Sequence, residues 1–467
     1  MAMTSAAKLA FGRGGAYSCG MKFLPIFLSV CAVAPLSAFG QQSPVQLAEA
    51  ELPSLIAIYK ELHAHPELSG KEEKTAAFIA KELRAVGCEV TEKVGKYDKP
   101  GMVGYGVVGV MKNGAGPTVL VRTDLDGLPV EEETGLPYAS KDTQQNDEGK
   151  DVRTMHACGH DMHMSAFIGT ARALAKLKDQ WKGTIVFVGQ PAEETGLGAK
   201  ALLADGLYTR WPKPDFVLGL HDSAQMEAGK VGMTEGGYIY ANVDSVDVTV
   251  RGLGGHGAYP HMTKDPVVLA AQIIQGWQTI VSREVEPIDS AVVTVGSIHA
   301  GTKHNIISDE VKMQLTVRSY KKETREKVLA AIERIAKGMA AAAGIPAERM
   351  PTVTVRENEF TPATYNNPEL TKRVAGVLRT ALGPDKYEVT QPVMGGEDFS
   401  VYSLPDFSVP ACMFTVGGVD PAKMAESKKT GTALPSLHSS KFAPVPEPSI
   451  RAGVIGMTAA VLDLMKK

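Results

Sequence analysis

Short apolar runs separated by stretches of helical periodicity constrain this chain more than any other feature. Gly106–Met111, Thr118–Val121, Thr184–Val188 and Phe216–Leu220 read as strands, and Ser165–Leu177 has the apolar spacing of a helix. Near-continuous apolarity, rather than strict alternation, marks strands buried on both sides. The pattern therefore predicts an α/β sheet covered by helices on both faces. In such sheets, ligands gather on loops beyond the strand ends. Asp124, the pair Glu193-Glu194 and His221 each fall just after one of these runs, which makes one candidate site of scattered residues.

Upstream, Leu52, Leu55, Ile58, Tyr59 and Leu62 recur at helical spacing, and Thr75–Leu83 forms a second helical segment. His63-Ala64-His65-Pro66-Glu67 breaks the pattern between them at the proline. The His63/His65 pair reads as a helix end beside a cleft, because nothing adjacent completes a ligand set. Around residue 241 the pattern changes. Val243–Val250 alternates as a strand, and Asp265–Val281 is helical with Pro266 in its first turn. Ala291–His299 and Val311–Ser319 read as strands, Lys322–Ala343 as a long helix, and Thr352–Arg356 as a strand. That β-α-β-β-α-β order is the ferredoxin-like unit. It predicts an inserted α+β lid or dimerisation domain over 241–357, between catalytic segments 45–240 and 358–467. Pro368–Leu382 (helix), Ala411–Val416 (strand) and Ser449–Lys466 (helix) return the chain to the first domain, and Asp142–Asp151 reads as an exposed polar loop. A length of 467 residues suits two domains.

Met21-Lys22 precedes the apolar stretch Phe23–Ala34, followed by the small residues Ala38 and Gly40. Residues 1–40 thus read as a secretory signal peptide, with Met21 as an alternative start, and the expected location is secreted or periplasmic. The apolar core is short for a span, and Pro25 and Pro35 weaken a continuous helix, so no membrane span is expected in the mature form. Cys88, Cys158 and Cys412 would remain, and three thiols cannot all pair. Metal ligation gives Cys158 a use, and a Cys88–Cys412 disulfide stays open. A net charge of −3 offers no basic footprint and argues against a nucleic-acid partner.

The chemistry concentrates in Met155-His156-Ala157-Cys158-Gly159-His160-Asp161-Met162-His163. Cys158 and His160 lie two apart, so on an irregular turn both side chains reach one ion. Glu193-Glu194 divides labour if one carboxylate binds metal while the other takes a proton from bound water. With His221, His438 and one glutamate, Cys158 and His160 make five ligands, about what two divalent ions sharing a bridge require. Asp124, in Arg122-Thr123-Asp124-Leu125-Asp126, can orient a ligand imidazole. In Gly252-Leu253-Gly254-Gly255-His256-Gly257, the glycines allow close backbone approach to a ligand, and His256 can stabilise an oxyanion.

The ordered set RTDLDGLP, MHACGHDMH, GQPAEETGLGAK, GLHD, GLGGHGAYPH, GGEDFS and LHSSKF resembles the aminoacylase/carboxypeptidase family of metal-dependent amidohydrolases. More narrowly, it is similar to the branch of hippurate hydrolases, N-acyl-amino-acid amidohydrolases and auxin-conjugate hydrolases. The resemblance implies Cys158 as bridging ligand, where other branches use Asp, with His160, Glu194, His221 and His438 completing two metal sites. It implies Glu193 as general base, Asp124 as the orienting aspartate, and His256 as an oxyanion-stabilising lid residue, in some relatives delivered across a dimer interface. Asn305 and Arg318 are implied in substrate binding. Arg122 stands where related branches carry a ligand histidine, which shifts that role to His160. Ser308 replaces the branch's usual proline. Two divalent ions, Zn, Mn, Co or Ni, are the implied cofactors, and a homodimer is the implied assembly. The expected substrate is an N-acyl or N-aroyl amino acid. Two alternatives are a dipeptidase or carboxypeptidase on short peptides, and a non-catalytic metal- or ligand-binding protein.

Overall fold

In the computed structural model, residues 12–21, 42–98 and 101–467 are described. The signal-peptide reading falls largely outside them. Residues 12–21 carry no regular element, and 42–467 form one unit.

The apolar runs build an eight-stranded mixed sheet in the order 89–94, 106–113, 183–190, 118–124, 216–227, 411–419, 231–233, 387–389. The four central strands, 183–190 to 411–419, are mutually parallel. Both faces are covered, and the side chains alternate between them. Val119, Val121, Ile185 and Phe187 pack into one apolar core, while Leu120, Val186, Val188 and Val108 pack into another. The first core is closed by helices Pro44–Ala64, His160–Lys176 and Pro446–Met465, which pack on one another. Pro446–Met465 is long and apolar enough to cross a membrane, yet it lies largely buried in this core.

The stretch Asn242–Val355 builds a second, four-stranded antiparallel sheet, ordered 291–300, 310–319, 242–251, 352–355. Helices Pro266–Thr279 and Lys322–Ala342 cover it, around the fully buried Trp277. This is the ferredoxin-like order, with Ala291–Ala300 as an unpaired edge.

Three local expectations differ. The strand read as ending before His221 runs Phe216–Glu227, because Asp222, Ser223 and Glu227 pair with Val416, Gly417 and Val419 despite their polarity. The helix read from Ser165 begins at His160. Every residue from His160 to Ala171 is buried, so no polar face betrays the first turn. The Asp142–Asp151 loop closes as a hairpin, Thr143–Gln145 against Asp151–Arg153, turned through Asn146 and Gly149. Cys88 and Cys412 are free buried thiols.

Candidate active site

The site lies at the carboxyl ends of the parallel strands. Cys158 occupies the turn ahead of helix His160–Lys176, whose first residue follows Gly159 at φ +71°. Only glycine fits there: a Cβ would stand 2.3 Å from Asp222 Oδ2. Glu193 and Glu194 follow strand Gly183–Gln190, and His221 lies within strand Phe216–Glu227. His438 arrives on a loop whose backbone N–H donates to the Ala157 carbonyl at 2.8 Å. Its φ is +66°, and its half-exposed imidazole meets Cys158 and Glu194.

These five side chains converge. Cys158 Sγ is 3.6 Å from His221 Nε2 and 3.3 Å from His438 Nε2. Glu194 Oε2 is 3.4 Å from His438 Nε2, and Glu194 Oε1 is 3.8 Å from His160 Nε2. They fall into two ligand sets, Cys158–His160–His221 and Cys158–Glu194–His438, joined by the thiol. Donors ~2.0–2.3 Å from a tetrahedral ion stand about 3.3–3.8 Å apart, the spacing found here.

Two hydrogen bonds preset the imidazoles. His160 Nδ1 donates to the Asp126 main-chain oxygen and His221 Nδ1 to that of Asp222, each at 2.8 Å. Nε2 of each ring therefore faces inward and is the nitrogen that would bind metal, displacing any proton it carries. His160 Nε2 and Glu194 Oε1 are buried with no partner among the described residues. Buried polar atoms left open in this way, converging on one point, fit a cation.

The charge balance agrees. Burial, then Glu397, Glu194 and Asp398, push the Glu193 carboxyl well above its ordinary range, although Arg122 opposes this. Burial pushes Glu194 up to about 7 despite His160. Burial and then Glu194 raise the Cys158 thiol. His160 is pulled down by burial, but Asp124 and Asp126 overcome this and hold it at about 9. Negative groups outnumber positive ones, and added cations would hold the thiol and carboxyls ionised.

Asp124 Oδ1 accepts from His163 Nδ1 at 2.8 Å, and its Oδ2 lies 3.7 Å from His160 Nε2. His163 Nε2 in turn accepts the Asp222 N–H. Neither His163 nor Asp222 was singled out from sequence, although His163 lies in the motif on the face of the helix one turn beyond His160. Arg122 is buried. Its guanidinium donates to Asp124 Oδ2 at 2.7 Å, Glu397 Oε1 at 2.9 Å, Asp398 Oδ1 at 3.2 Å and Gln190 Oε1 at 2.9 Å. It thus supports the site from behind. Glu397 and Asp398, from GGEDFS, had no assigned role, because their partner Arg122 lies 275 and 276 residues away. Arg122→Met strands three carboxylates and should cost roughly 3–5 kcal/mol, read by denaturation; a loss under 1 kcal/mol would show the network to be dispensable.

Cys158, Glu193, Glu194, His221, His438 and Arg318 all line one cavity of 1840 Å³. Arg318 also donates to the Met394 carbonyl at 3.1 Å. His256 and Asn305 lie elsewhere, both exposed, on the paired strands Gly255–His256 and Ile306–Ile307 and their adjoining turn. The structure thus brings together the five candidate ligands, Glu193, Asp124 and Arg318, and leaves His256 and Asn305 off the cavity wall.

A hydrolase working through a pair of cations is the class that this fold and this nest of donors define. The sequence profile of peptidase family M20/M25/M40 matches residues 120–436, and the chain belongs to that family. It is a metal-dependent amidohydrolase. It is 36% identical to thermostable carboxypeptidase 1 of Saccharolobus solfataricus, over 88% of this chain and 96% of that one. It is 37% identical to N-acetyl-L-cysteine deacetylase of Bacillus subtilis, over 78% of this chain and 80% of that one. The crystal structure of the Bacillus subtilis YXEP protein, described as a dinuclear metal-binding peptidase of the M20 family, superposes with a TM-score of 0.67 at 28% identity, covering 89% of this chain and 99% of that one.

Proposed function

We propose that the chain hydrolyses the amide bond of N-acyl or N-aroyl amino acids. The observation that carries this reading is the buried Glu193 carboxylate. It lies on the cavity wall, with Oε2 3.8 Å from His160 Nε2, beside two donor sets joined at Cys158 that do not include it. Cys158, His160, Glu194, His221 and His438 would hold the ions, which when bound supply Lewis acidity and an acidified water. Glu193 takes the proton of the attacking water and returns it to the leaving amine. Arg318, on the same wall, fits the free carboxylate of the amino-acid half. Thiolate and imidazole donors favour Zn, Co or Ni, and the carboxylates leave room for Mn. The deacetylase relative supports N-acyl substrates. The carboxypeptidase relative favours a second reading, cleavage of short peptides. A panel of N-acetyl- and N-benzoyl-amino acids, aromatic conjugates and dipeptides decides; faster turnover of dipeptides would replace the first reading with the second.

We also propose a homodimer. Tyr259, Met262 and Ile306 stand exposed beside His256, with the sheet edge Ala291–Ala300 in the same segment. A second copy would bring His256 and Asn305 to the cavity for oxyanion stabilisation and substrate contact. Glu193→Gln and His256→Ala chains should each be inactive alone and recover activity when co-assembled, since a mixed dimer holds one intact site. Failure of the mixture to recover would sink the shared site. The apolar segment at the N-terminus supports export to the periplasm or beyond, checked by sequencing the mature N-terminus. Residues 241–357 are proposed as a separate lid unit between 45–240 and 358–467.

A further inference from the structure

Ala192, immediately before the glutamate pair, has a φ of +52°. An alanine in that conformation is strained and needs its surroundings to hold it. The backbone is gripped on both sides of Glu193. The Ala192 N–H donates to Glu72 Oε1 at 2.8 Å, and the Glu194 N–H donates to Asp126 Oδ2 at 3.0 Å. Both acceptors are buried. Glu72 Oε1 also takes the Gly70 N–H at 2.8 Å, and Asp126 Oδ2 takes the Ser69 hydroxyl at 2.6 Å.

Glu72 sits at the N-cap of helix Glu73–Ala85, where a carboxylate would ordinarily bond its own helix; its side chain makes no such bond. It is directed across to the loop instead. Its burial is unfavourable as well, since desolvation and then Asp126 push its carboxyl up to about 8. Capping does not account for this placement, whereas the contact with Ala192 does.

We infer that Glu72 is a positioning residue for the Glu193-Glu194 pair: its oxygen holds the Ala192 N–H while Asp126 holds the Glu194 N–H, so that consecutive carboxyls are fixed at the ligand nest. The inference rests on the proposed role of Glu193. The geometry supports it directly, because Glu193 Oε2 and Glu194 Oε1 both lie 3.8 Å from His160 Nε2 although they belong to neighbouring residues. The strained step at Ala192 makes that convergence possible.

Two variants of the metal-loaded protein separate positioning from charge. Glu72→Gln keeps the acceptor and its reach while removing the ionisable group. Glu72→Asp keeps the charge but withdraws the acceptor by one methylene. Positioning predicts that Gln stays within about threefold of the parent in kcat. It predicts that Asp loses about tenfold or more in kcat with KM little changed, and binds Zn²⁺ more weakly against a competing chelator, as losses behind a metal site do. The reverse order, Gln impaired and Asp intact, would overturn the inference, as would equal kcat and equal Zn²⁺ affinity in both variants with only thermal stability changed. If the parent hydrolyses no N-acyl amino acid, the proposed function fails, but the Zn²⁺ comparison still tests the clamp.

Discussion

Glu193→Gln should keep both ions and lose about 10²–10⁴-fold in turnover, the size of a missing general base. The argument is geometric. Glutamine preserves volume and one oxygen, and the two donor sets joined at Cys158 do not include Glu193. Metal content by elemental analysis should match that of the parent, while kcat collapses and KM changes little. Near-parental turnover would remove Glu193 from the mechanism. Loss of an ion would show that it ligates rather than moves protons.

Cys158→Ala should have the broadest effect. Both ligand sets run through the one sulfur, so its removal opens both at once. Affinity for both ions should fall by more than the roughly 10–100-fold that loss of an outlying partner costs, and activity with it. Cys158→Asp restores an anionic donor able to span two ions and should recover part of both. If Cys158→Ala retained two tightly held ions, the shared-sulfur arrangement would be wrong.

The parts legible in sequence were those with a local signature. Buried parallel strands announce themselves as apolar runs, and Val119–Val121 or Ile185–Val188 needed no partner to be read. The ligands were legible because Cys158 and His160, or Glu193 and Glu194, lie within a few residues of each other, and because the ordered motifs resemble a known family. What escaped depends on distant pairing. The polar end of strand Phe216–Glu227 exists only because Ala411–Val419 lies beside it. The buried cation Arg122 meets Glu397 and Asp398 across the chain. Glu72 reaches Ala192 from the break between two helical segments, where the sequence carries no periodic signal. His63 illustrates the same limit. Read as a helix end near a cleft, it is buried between Asp161 at 2.6 Å and Glu132 at 2.9 Å, partners that no periodicity reveals.

The sulfur of Cys158 is synthesised long before the imidazole that completes its second cage. His438 docks through the Ala157 carbonyl, on a loop that follows strand Ala411–Val419 of the sheet. A growing polypeptide halted short of residue 438 has Cys158, His160 and His221 but lacks the imidazole that would complete the Cys158–Glu194–His438 set. If those sets hold the two ions, a polypeptide halted short of residue 438 should bind the second ion far more weakly than the full chain, so capture of both would favour the finished fold.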